Sequence, residues 1–145
     1  MPIAGFDHVA ITVADVDTTI AWYQRVLGAA VSMLEPGGRF LLEVINGQRI
    51  MRNFQEREWF TVGQTAVMEQ RTLDMSTRRM IVERTVSSAA GDDTSVHAVR
   101  LYRGAEVERM LKDAGFEPVD LYGDWDGGSL TPESLRVLAV GTMPP

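Results

Sequence analysis

Cysteine is absent from this 145-residue chain. That excludes disulfides, thiol nucleophiles, iron–sulfur ligation and thiolate zinc sites. Lysine is nearly absent: Lys112 is the one Lys, and the other basic residues are Arg. Lys112 falls in a solvated helical pattern, which argues against a catalytic amine. The Arg surplus fits a GC-rich coding bias; the functional alternative is a set of guanidinium forks for an anionic ligand. Long apolar runs are missing. No stretch approaches the ~20 residues of a membrane span, and the N-terminal MPIAGFDHV has no basic region leading into an apolar one. The expectation is a soluble, unprocessed, cytoplasmic protein. Positive charge is also short, with 20 acidic residues against 14 basic and a net charge of −6. Nucleic-acid binding therefore has no electrostatic footprint.

Apolar residues make up 45% of the chain, enough at this length for one core of its own, so residues 1–145 read as a single domain. Phe6–Val13 (FDHVAITV) is rich in β-branched residues and reads as a strand. Asp15 or Asp17 can cap a helix over about Thr18–Leu34, in which Ile20, Tyr23, Leu27, Ala30, Val31 and Leu34 form one apolar stripe. Glu35–Gly38 is a stop and turn, and Arg39–Ile45 is a nearly continuous apolar strand. Gln48–Glu58 is charged and irregular or weakly helical. Three β-like stretches follow, Trp59–Asp74, Arg78–Ser87 and Ser95–Tyr102, with turn composition at Met75–Thr77 and Ala89–Asp93. An amphipathic helix over Ala105–Ala114 stops at Gly115. Val119–Trp125 and Leu135–Gly141 are closing strands around the loop Asp126–Glu133. The fold class is α+β: a single mixed, largely antiparallel sheet with a β-α-β start, an antiparallel three-strand extension and a closing α-β-β unit.

Two segments carry a family resemblance. LEPGGRFLLEVIN (Leu34–Asn46) and RLYRGAEVERMLKDAGFEPVDLYGDWDGGSLTPESLRVLAV (Arg100–Val140) resemble the C-terminal, substrate-side half of class I S-adenosylmethionine-dependent methyltransferases. The first looks like that family's turn and fifth strand, the second like its last helix and closing strand pair. The stretch between them, with Trp59, His97, Arg100 and Tyr102, is similar to the substrate-side insertion of a small-molecule branch. The cofactor-binding half, with its Gly-rich turn after the first strand, has no counterpart here; Gly37-Gly38 and Gly127-Gly128 read as turns. The resemblance implies a truncated, methyltransferase-like domain with no bound cofactor and no methyl transfer. A second resemblance competes. FDHVAITVADVDTTIAWYQRVLGA (Phe6–Ala29) looks like the opening β-α of the glyoxalase/bleomycin-resistance/dioxygenase family, which implies His8 as a metal ligand.

His8 and His97 are the only histidines. With Glu43 they could form a facial triad for a divalent metal, but the favoured expectation is no metal site. His97 is a candidate general base or hydrogen-bond donor to substrate. Arg100 and Asn46 are candidates for polarising a carbonyl, Asn46 because it follows a strand at the end where open α/β sheets bind ligands. Glu43, in an apolar strand, either faces a polar cavity or pairs with an arginine such as Arg100. Trp59, Met68, Met80 and Tyr102 are candidate walls of a substrate pocket; the alternative for this Met-rich region is core or interface. The Phe6–Val13 edge would lie bare in a truncated fold, so a two-fold homodimer is expected. Together these features point to a cofactor-independent enzyme acting on an apolar small molecule, of cyclase or cycloaddition type, in polyketide-like natural-product biosynthesis. The alternatives are an isomerase or dehydratase working by acid–base chemistry, a non-catalytic binder or accessory methyltransferase subunit, and a metal-dependent glyoxalase-like lyase or dioxygenase.

Overall fold

A computed structural model describes the backbone of residues 16–145 and the side chains from residue 24 onward. The predicted strand Phe6–Val13, His8 and the Trp22 side chain lie outside the described residues. Within them the order is α1 (Val16–Met33), β1 (Arg39–Ile45), α2 (Gly47–Arg52), β2 (Arg57–Val62), β3 (Thr65–Asp74), β4 (Arg79–Ser88), β5 (Gly91–Arg100), α3 (Gly104–Asp113), β6 (Val119–Tyr122) and β7 (Arg136–Thr142). The fold is α+β, and every strand pair is antiparallel.

The strands form two sheets rather than the single sheet expected from sequence. One has three strands in the order β1-β7-β6, the other four in the order β2-β3-β4-β5. The division falls at Asn46, where the chain leaves β1 and turns into α2. One isolated parallel bridge, Asn46 to Tyr102, joins the two sheets and supplies their mixed character.

The three-stranded sheet carries the larger core. By register, Phe40, Leu42 and Val44 of β1 share a face with Gly141, Ala139 and Val137 of β7. Helices α1 and α3 cover that face: Leu27, Val107, Leu111 and Phe116 are buried against it, with Ala30, Val31 and Leu34 alongside. Phe116 stacks on Phe40 with ring centroids 5.5 Å apart. The fit leaves no room at Gly141, where an added Cβ would stand 2.8 Å from Phe116 and 2.9 Å from Leu111. The expected helix over 105–114 and the last strand over 135–141 match α3 and β7 to within a residue, because the first has apolar residues at helical spacing and the second is a short apolar run.

The extension has four strands, not three. Trp59–Asp74 divides into β2 and β3 at a two-residue turn, Gly63-Gln64, closed by the pair Val62–Thr65. Gly63 adopts φ +60°, a conformation glycine takes without a Cβ clash, and it opens the hairpin. A further turn follows β3, where the Asp74 carboxylate accepts hydrogen bonds from the backbone N–H groups of Ser76 and Thr77. Hydrogen bonds from Ser76 and Thr77 hold its pKa down to about 2.

Candidate functional site

The two sheets meet around Asn46, which is 2% exposed. Its carboxamide oxygen accepts from Gln48 N–H at 3.2 Å and caps α2. Its side-chain nitrogen donates to the carbonyls of Thr131 at 3.1 Å and Ser134 at 2.9 Å. Gly47 N–H donates to the Tyr102 carbonyl at 2.9 Å. These bonds fix a six-residue helix that is too short to be stable alone. They aim its apolar side, Ile50 and Met51, with Phe54 just beyond, onto Met80, Val82 and Leu101.

A cleft of about 370 Å³ opens where α2 and the following turn face the four-stranded sheet. Its apolar wall is Ile45, Ile50, Phe54 and Met80. Its polar rim is Arg49, Asn53, Gln55, Glu58 and Arg71. Behind the rim lies an ion-pair network. Glu58 and Glu69 stand opposite each other on β2 and β3, an unfavourable arrangement for two carboxylates. Arg71 relieves it by pairing with both. Arg84 adds a hydrogen bond from Nε to Glu69 at 2.7 Å. Glu69 is only 6% exposed. Burial pushes its pKa up, but the hydrogen bonds and charges of Arg71 and Arg84 outweigh burial and hold it below the ordinary carboxylate value. The same contacts raise the Arg71 pKa against its own desolvation.

The predicted site residues are dispersed. Strand register puts Met80 and His97 on the cleft-bearing face, with His97 paired across from Val82 and outside the cleft lining. Trp59 and Met68 form a cross-strand pair on the opposite face, 75% and 54% exposed. Arg100 shares that opposite face by register. It donates to the Thr77 carbonyl, lies 4.0 Å from Glu106 and stacks over the Tyr102 ring at 5.5 Å. Tyr102 itself is buried. Glu43 pairs with Arg136 at 2.9 Å, in the other sheet, rather than with Arg100. Met80 is thus the one predicted residue that lines the cleft. Arg49, Ile50, Phe54, Glu58 and Arg71 were not singled out from sequence. A signal existed for Arg71: Val67, Glu69, Arg71 and Leu73 alternate along one face of a strand, so its charge had to sit on a covered face.

A sequence profile for the Glyoxalase/Bleomycin resistance protein/Dioxygenase superfamily matches residues 5–99. The chain belongs to that superfamily. The matched segment takes in His8, α1 and the strands through most of β5. No curated protein matches the chain. Solved structures that share its fold come from another group. The CcbJ methyltransferase from Streptomyces caelestis superposes with a TM-score of 0.70 at 20% identity, over 84% of this chain and 50% of its own. An S-adenosylmethionine-dependent methyltransferase from Clostridium acetobutylicum gives a TM-score of 0.66 at 11% identity, over 84% of this chain and 51% of its own. CalS10 from Micromonospora echinaspora, an amino pentose methyltransferase of calicheamicin biosynthesis, gives 0.51 at 21% identity, over 85% and 51%. The chain spans about half the length of these structures, and the likeness is one of fold.

No three of His, Asp and Glu converge on a metal-sized site among the described residues, and His97 and Glu43 lie in different sheets. The strand-to-helix turns into α2 and α3 each hold one glycine, Gly47 and Gly104. The space a Cβ would take at these glycines is filled by protein, by Leu101 and Tyr102 at the first and by Leu130 at the second. Neither turn is an open cradle for a nucleoside cofactor.

Proposed function

We propose that the chain is a small-molecule enzyme of the cyclase type, acting without a bound cofactor on an apolar, polyketide-like intermediate held in the cleft between α2 and the four-stranded sheet. The observation that carries this reading is the cleft's two-sided lining: Ile45, Ile50, Phe54 and Met80 on one side, Arg49 and Arg71 on the other. The volume lies in the range of sites that take small organic ligands. An apolar wall can hold a flexible polyene in one folded conformer and so remove entropy from the barrier to ring closure. A guanidinium at the rim can polarise a carbonyl conjugated with the reacting alkene. Asn46 serves here as a positioning residue, since its side-chain hydrogen bonds go to backbone groups that set α2. His97 reaches substrate only if the substrate extends past Val82. Its predicted acid–base role is therefore secondary in this proposal, and that of Arg100, on the far face, more so.

The test uses a diene tethered to an activated alkene, a substrate that isomerises by forming two carbon–carbon bonds with no atom gained or lost. The protein should raise the rate and shift the product diastereomer ratio relative to buffer. Ile50→Trp, which fills the cleft, should return both to the buffer values. Identical rate and ratio with and without protein would end the cyclase reading.

A second reading rests on the superfamily match and on His8 within it: a metal-dependent lyase or dioxygenase. Native mass spectrometry after loading with a divalent metal separates the two. One tightly held ion per chain, lost in His8→Ala, supports the second reading. The same spectra test the proposed two-fold dimer, which a monodisperse monomer contradicts.

A further inference from the structure

We infer that the cleft takes ligands bearing a single anionic group, a carboxylate above all, and that Arg49 is the residue that binds it. The inference rests on the reading of the cleft as a ligand site and adds the charge of the ligand. The charged residues of the lining are Arg49, Arg71 and Glu58. Arg71 is spent: Glu58 and Glu69 both hold it. Adding the two residues behind the rim, Glu69 and Arg84, brings one charge of each sign and leaves the balance unchanged. Two carboxylates are thus set against three guanidiniums, and the surplus is one positive charge.

That surplus falls on Arg49. It forms no ion pair with any described acid. Its neighbours on the helix and turn have other partners: Arg52 pairs with Glu133 at 3.3 Å, and Asn53 donates to the same carboxylate at 3.2 Å. Arg49 is half-buried on the last turn of α2, beside the apolar wall of Ile50 and Phe54. A guanidinium so placed is partly shielded from water and presents a planar fork that matches a carboxylate. The adjoining apolar wall selects an anion with a hydrocarbon tail over a small inorganic one. A dianion is disfavoured, because the Glu58 carboxylate lies on the same rim and the Arg71 charge is already balanced by Glu58 and Glu69.

The test compares octanoate, 1-octanol and inorganic phosphate by isothermal calorimetry on the full chain. Octanoate should bind at least tenfold more tightly than octanol, and phosphate should not bind. Arg49→Gln should remove that tenfold preference while leaving octanol binding unchanged, and Arg49→Lys should restore most of it. Raising the salt concentration should weaken octanoate alone. Equal binding of octanoate and octanol would overturn the anionic preference and leave the cleft reading standing. An Arg49→Gln chain that keeps its preference would overturn the assignment to Arg49. Failure of both amphiphiles to bind would overturn the cleft reading itself.

Discussion

In the three-stranded sheet Val137 and Ala139 are shut off from water by α1 and α3, and Phe116 closes the gap with a ring stacked on Phe40. In the four-stranded sheet the six-residue α2 covers only one end of one face, over Met80, Val82 and Leu101. All six residues of β2 are exposed, and the middle of the covered face is held by Glu58, Arg71, Glu69 and Arg84 rather than by apolar packing. One sheet is a scaffold, where the hydrophobic effect fixes position. The other is a surface, where directional contacts hold side chains around a cleft that is left partly empty. Stability should therefore reside in the first sheet and binding in the second.

The largest expected effect breaks the scaffold. Phe116→Ala should cost about 3–5 kcal/mol in urea unfolding, since it deletes a ring that is 1% exposed. A loss under about 1 kcal/mol would mean that the first sheet is not the stable half. Next comes the junction. Asn46→Ala removes a helix cap and the side-chain donor to the Thr131 and Ser134 carbonyls, of which Thr131 keeps the Ser134 N–H, for about 1–2 kcal/mol. If Asn46 only positions α2, octanoate affinity should fall with the order of α2, and amide exchange over 47–52 should rise in parallel.

Smaller effects belong to the second sheet. Glu69→Gln should cost about 1–2 kcal/mol at neutral pH, because both arginine partners keep some contact with water. Its pH signature is specific. The folded-state pKa lies below the ordinary 4.5. The stabilising contribution is therefore complete above that value and is lost as pH falls through the folded pKa. The wild-type chain should lose stability on acidification in that window, and Glu69→Gln should lose less. The smallest effect is Trp59→Ala. With the side chain 75% exposed, it should change stability by under about 0.5 kcal/mol and leave octanoate binding alone. A large loss there would show that the outer face of the second sheet is covered, as in a dimer.

The scaffold was legible in the sequence because its strands are nearly continuous apolar runs and its helix carries one apolar face. RFLLEVI and LRVLAVG read as strands, and Val107, Met110 and Leu111 as one helix face. The extension was half legible. Its strands showed, but Gly63-Gln64 offered only a single glycine as a turn signal, so β2 and β3 merged. The split into two sheets was hidden because it depends on Asn46 leaving one strand and bridging to Tyr102, a pairing 56 residues apart in sequence. The cleft was the least legible part. Met80 could be found by its residue type, whereas Arg49 and Arg71 acquire their roles only through which partners reach them. Trp59 and Met68 looked like pocket walls by composition, yet strand alternation turned both outward.

The most direct test of the claim that binding resides on one face of the second sheet is amide chemical-shift mapping of the full chain titrated with octanoate. Shifts should be confined to residues 45–58 and to the strand positions around Arg71 and Met80. Shifts centred on the outward pair Trp59 and Met68 and their neighbours Thr85 and Gln70, or spread over α1 and α3, would contradict that claim.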